Sequence, residues 1–91
     1  MLHFFAIAER ASGGGWGISF PDRDGITSWA DDAGELVAQA QDALASAVMH
    51  GGRLPRSIEE GAMPPDDLSG FDQPALVVVI PFGTRQEKAA A

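Results

Sequence analysis

Carboxylates are the residues of this chain whose number and spacing come closest to a chemical site. Asp22 with Asp24, and Asp31 with Asp32, form two close pairs, and clustered carboxylates can hold a divalent metal that activates water. Both pairs fall where local structure already has a use for them. Pro21-Asp22-Arg23-Asp24-Gly25 is a turn by composition, and Asp31-Asp32 stands at a helix start. Gly13-Gly14-Gly15 leads into a strand rather than into a helix N-terminus, so it lacks the donor geometry that cradles a phosphate and reads as a hairpin loop. His50 falls in the last turn of a helix, where the helix dipole favours it, and it has no identifiable nucleophile or orienting acid around it. Trp29 fits two roles equally, a core residue or an anchor for a partner.

The elements that carry these residues follow from apolar periodicity. Leu2–Glu9 is apolar on both alternating sides, the pattern of a central strand covered on both faces. Trp16, Ile18 and Phe20 alternate with Gly17 and Ser19 and make a half-buried strand, and Ile26–Ala30 makes a short third. Asp32 and Glu35 have the spacing of a capping box for a helix running to about Met49. The apolar stripe of that helix is Leu36, Val37, Ala40, Ala43, Leu44, Ala47 and Val48, and His50-Gly51-Gly52 closes it with a left-handed glycine cap. Leu54–Gln73 is a connector rich in Pro, Gly and Asp, with room for one helical turn at Ser57–Gly61. Ala75–Phe82 is a nearly continuous apolar strand with Pro81 near its end.

At 91 residues the chain is one small domain, here residues 1–83 followed by a polar tail over 84–91. A chain of this size buries only about 60–65% of its unfolded surface, so its core is thin. It has no cysteine, which excludes a disulfide framework and thiolate metal sites, and two histidines, too few for a histidine-rich metal centre. No cofactor is expected. Six basic against thirteen acidic residues leave a formal charge of −7, which repels phosphate backbones. DNA binding by this chain alone is therefore not expected. The start, MLHFFAIAER, lacks a positive leader, and the run Ala75–Ile80 is far too short to cross a bilayer. A soluble, cytoplasmic protein is expected.

The order β-β-β-α-β specifies an α+β fold. The first and third strands of a meander run the same way, and a right-handed crossover through the helix would bring the fourth strand back parallel to the first. The expected sheet order is 3-2-1-4 with one helix on one face, a partial ribonuclease H-like fold. One helix covers one face, so Phe5, Ile7 and alternate residues of Val77–Phe82 would leave an apolar patch, and a homo-oligomer, most simply a dimer, is expected.

Against that topology, particular residues carry a family resemblance. Gly17–Asp22 reads G-I-S-F-P-D, and Asp24–Asp32 reads D-G-I-T-S-W-A-D-D. Glu35, the alanine-rich helix with Ala40–Leu44 (A-Q-D-A-L), and a proline-containing stretch at Arg53–Ser57 then follow. Over roughly residues 2 to 82 the chain resembles the HicB antitoxins of type II toxin-antitoxin systems. The helix cap departs from the family, with Asp32 where Thr or Ser is usual. The helix-turn-helix or ribbon-helix-helix segment that many relatives carry is not matched, since Arg85 and Lys88 are the only basic residues after Phe82. A ribonuclease H-like fold invites a nuclease reading, but that chemistry needs an acid within the first strand, and His3–Ala8 contains none. No catalytic residue is expected.

The resemblance implies an antitoxin that binds and neutralises a small basic HicA-type mRNA-cleaving toxin. The alternative is a stand-alone regulatory or ligand-binding module without a toxin partner. From Asp22 to Asp42 there are six acids and one base, Arg23. That segment makes Asp22, Asp24, Trp29 and Asp31 the candidate partner-binding residues, acids for electrostatic docking and Trp29 for buried contact.

Overall fold

Three strands open the chain as an antiparallel meander: β1 (Leu2–Arg10), β2 (Trp16–Ser19) and β3 (Thr27–Ala30). One helix, α1 (Leu36–Met49), and a last strand, β4 (Ala75–Phe82), complete a four-stranded sheet of order β3-β2-β1-β4. The α+β class and the strand order are those expected. The computed structural model describes residues 1–21 and 25–83. Asp22, Asp24 and the expected polar tail over 84–91 lie outside the described residues.

The direction of β4 corrects the expectation. It runs antiparallel to β1, with Leu2 opposite Phe82 and Glu9 opposite Ala75, rather than parallel to it. The reason lies in the connector. α1 ends beside the start of β3, where His50 lies near Thr27. The chain then climbs back along β1: Glu59 bonds His3 at one end, and Asp72 bonds Glu9 at the other. His3 and Glu9 are about 20 Å apart along an extended strand, a span that the residues from Glu59 to Asp72 cover with ease. Having climbed, the chain can enter β4 only downwards.

The same connector covers the sheet face that α1 leaves bare. A one-turn 3-10 helix, Ile58–Glu60, packs against β1. Ile7, on the side away from α1, is completely buried, and Phe5 is partly so. The expected bare patch around Phe5 and Ile7 is therefore absent. Of the β4 residues on that face, Val77 and Val79 remain open, and Trp29 of β3 is exposed there as well.

Between sheet and helix lies the core: Phe4, Ala6, Ala8, Ile18, Phe20, Ala30 and Ile80 against Leu36, Ala40 and Leu44. Burying side chains of the Phe4, Ile80 and Leu44 type contributes roughly 1.5–3 kcal/mol each. Phe82 meets Phe4 edge-on at 6.4 Å, a favourable ring geometry. The buried stripe of α1 is narrower than its sequence pattern, since Val37 and Val48 are exposed. Alanines at positions 40, 43 and 47 let the helix sit close to the sheet, which leaves the flanking valines at the rim.

Capping also differs from expectation. Asp32 makes no side-chain cap bond; Ala33–Glu35 forms a 3-10 turn whose first bond is backbone, from the Glu35 N–H to the Asp32 carbonyl. A side-chain cap forms instead at Ser57, ahead of the turn Ile58–Glu60. The buried Ser57 hydroxyl accepts the Glu60 N–H at 3.3 Å and donates to Glu60 Oε1 at 3.1 Å. At its other end α1 closes as the glycines predict, with Gly51 at φ +74.

Candidate protein-binding surface

Side chains alternate across a sheet, so β3 sends Ser28 and Ala30 to the α1 side and Trp29 to the other. Ala30 is buried and the Ser28 hydroxyl donates to the Gln39 carbonyl of α1 at 3.1 Å, whereas Trp29 is 48% exposed. Trp29 is thus a surface residue on an edge strand, which resolves its two sequence readings against the core.

Its position is tightly held. Directly across on β2 stands Gly17, which offers no side chain. The indole extends over Gly15, where an added β-carbon would fall inside the ring. Gly15 reaches that position in a loop closed by the Ala11 N–H on the Gly15 carbonyl (3.1 Å), with φ +80 that favours glycine. The indole N–H donates to Asp31 Oδ1 at 3.2 Å. The result is a large, rigid aromatic surface with an exposed carboxylate beside it.

Asp31, bonded to the indole, and Asp32, next to it in the chain, are exposed, as are Glu35 and Asp42 further along. The structure therefore brings Trp29 and Asp31 together, while Asp22 and Asp24 lie outside the described residues. Sequence reasoning did not find the contact of the indole on Gly15. Its only trace is the glycine that precedes Trp16.

On the same face, one cross-strand row runs Ala75, Glu9, Gly17, Trp29. Glu9 Oε2 accepts the Asp72 N–H at 2.7 Å, so this carboxylate clamps the connector. At the far end of β1, His3 lies before the stretch that pairs with β2. Its N–H donates to Glu59 Oε1 at 2.9 Å, and its ring Nδ1 meets Glu59 Oε2 at 2.7 Å. The hydrogen bonds from His3 hold the Glu59 carboxyl below its ordinary value of 4.5. Asp67 is lowered likewise by the Ser69 N–H. These carboxylates are structural fasteners.

His50 lines a shallow depression with Gly25, Ile26, Thr27, Ala43, Ser46 and Ala47. Its ring Nδ1 meets the Ser46 carbonyl at 2.8 Å and the Ser46 hydroxyl only at 3.4 Å. The imidazole closes the helix end, and no carboxylate is bonded to it among the described residues. Among those residues no group of three or more His, Cys, Asp or Glu is arranged to hold a metal ion. Among the described residues no helix is long and apolar enough to cross a membrane.

No family model and no curated protein matches the chain. Among solved structures, a chain from one described as "HicA3 and HicB3 toxin-antitoxin complex" has a similar fold. The TM-score is 0.58 at 17% sequence identity, covering 91% of this chain and 100% of that chain. At that identity the likeness establishes a shared fold.

Proposed function

We propose that this chain is a HicB-like antitoxin, a binding protein without catalytic activity that neutralises a small basic HicA-type mRNA-cleaving toxin in the cytoplasm by direct contact. The observation that carries the reading is the fold likeness to a chain of a toxin-antitoxin complex, over nine-tenths of the present chain. The sequence resemblance over residues 2 to 82 supports it independently. Trp29 and Asp31 support a contact through this part of β3, with a half-exposed indole for buried area and a carboxylate next to it for a cationic partner. A toxin that binds RNA must present positive charge, so a chain of −7 gains encounter rate and orientation from that field.

Coexpression with the product of any adjacent short basic gene is the test. Rescue of growth and copurification of the two proteins are expected. Absence of both growth rescue and copurification would remove the antitoxin reading and leave the stand-alone module.

A further inference from the structure

β4 is an edge strand of eight residues, Ala75–Phe82, without a single charged side chain. Native edges are usually blunted by charge, a bulge or brevity; the opposite edge, β3, has only four residues. The hydrogen bonds that β4 has left free can be counted. The Arg10 N–H donates to the Pro74 carbonyl, which makes residues 10 and 74 a hydrogen-bonded pair in the register that continues through β4. Antiparallel pairs alternate. The even residues of β4 therefore face β1, and Ala75, Val77, Val79 and Pro81 turn their backbone groups outward.

Both ends of that outward row are already occupied. The Ala75 N–H donates to Gln73 Oε1 at 3.3 Å. Pro81 has no N–H, and its carbonyl accepts from Gln41 of α1 at 2.7 Å. Between them Val77 and Val79 each keep an N–H and a carbonyl with no partner among the described residues. Their side chains, with that of Leu76, are among the exposed large hydrophobics.

We infer that a second copy of this chain pairs with β4 edge to edge, antiparallel about a two-fold axis at Val78. In that register Val77 of one copy faces Val79 of the other, twice. All four free N–H groups of these valines in the two copies then meet all four free carbonyls. Ala75 falls opposite Pro81, where neither end has a free donor to lose. Shifting the axis to Val77 sets Val79 against the occupied Ala75 N–H, and shifting it to Val79 sets Val77 against Pro81. The register thus follows from which groups are free. On the α1 face Leu76 meets Ile80 of the second copy, and on the other face Val77 meets Val79, apolar against apolar. With no charge between Ala75 and Phe82, two chains of −7 meet along a strand that sets no like charges opposite one another. The product is a continuous eight-stranded sheet with both helices on one side, an isologous contact. Trp29 lies on the opposite edge of each sheet and stays free, so this pairing stands or falls separately from toxin binding.

The purified chain is expected to sediment as a dimer at micromolar concentration, more tightly as salt rises and screens the like charge. Val79→Pro removes an N–H that points outward, as Pro81 already does, and so spares the β1 ladder. It deletes two of the four hydrogen bonds across the axis and is expected to weaken the dimer by about tenfold or more, with the far-UV dichroism unchanged. Val79→Lys, at a side chain already exposed, gives the same loss should the proline disturb folding. In this cysteine-free chain, Val78→Cys would lie about 4.5 Å, Cα to Cα, from its mate as a non-hydrogen-bonded pair, within disulfide reach, and is expected to cross-link on mild oxidation. A monomer at high micromolar concentration, its edge then covered within one chain, overturns the inference. So does a dimer indifferent to both substitutions at Val79, or one in which Val78→Cys stays unlinked.

Discussion

The indole of Trp29 rests on the bare backbone of Gly15, and residue 15 can carry no β-carbon while it does so. This one contact ties the hairpin loop after β1 to the edge strand β3. It also fixes the orientation of the largest exposed aromatic surface on the molecule. Gly15→Ala must push the ring away and hold an unfavourable positive φ. A destabilisation of about 2 kcal/mol is expected, together with a change in tryptophan fluorescence. Gly13→Ala is the control: its added β-carbon meets nothing within 4 Å, and it is expected to be near neutral. Equal effects from the two would show that Trp29 does not lie on Gly15.

Truncating the ring itself separates stability from binding. Core Trp→Ala substitutions typically cost about 3–5 kcal/mol, but Trp29 is half exposed, so Trp29→Ala is expected to cost about 1 kcal/mol in urea unfolding. Under the antitoxin reading it speeds dissociation of the toxin at least tenfold, the effect of losing an anchoring aromatic. Asp31→Lys acts on the other rate: it slows association and flattens the salt dependence. Unchanged kinetics in both variants would move the toxin contact elsewhere on the chain.

Ser57 is the one buried polar side chain among the described residues, and both of its bonds go to Glu60. Ser57→Ala leaves the Glu60 N–H without that acceptor and frees the turn that covers β1. A loss of about 1 kcal/mol is expected, with faster amide exchange at Glu60 and at His3, whose N–H is held by the same turn. Protection unchanged at both amides would mean that the cap does not hold the turn in place.

Which parts of this arrangement were legible in the sequence depended on whether a local pattern encoded them. The strand order was expected through a parallel crossover that the chain does not make. The β4 bounds and the helix end at His50-Gly51 follow from periodicity and glycine placement, which are local. The single turn at Ser57–Gly61 was legible for the same reason. The direction of β4 was not, because Leu54–Gln73 is long enough to return the chain to either end of the sheet, and only tertiary contacts at His3 and Glu9 decide which. Asp32 misled because its type and spacing suit a cap equally well whether or not the side chain turns inward. Trp29 was ambiguous for a related reason: an alternating strand shows which residues share a face, but not what covers that face. The covering of Ile7 by the connector could not be read from a segment whose composition signals only irregular structure.

The clasp between Glu59 and His3 provides a pH dependence whose sign is fixed by the direction of the shift. Glu59 is held below 4.5, first by the His3 side-chain hydrogen bond and then by the His3 backbone N–H. A carboxyl depressed in the folded state adds stability that is present above its unfolded value and lost as the pH falls through the folded one. Loss of the Glu59 charge therefore loosens the clasp as the pH falls below 4.5. The group is exposed and the effect small, so it is best read locally, by following the Glu59 side-chain carbonyl and the His3 amide by NMR. Both are expected to titrate together with a midpoint below 4.5, and Glu59→Gln is expected to abolish the His3 amide transition. A Glu59 midpoint at or above 4.5, or a His3 amide that ignores the titration, would show that the connector is not fastened to β1 through this pair.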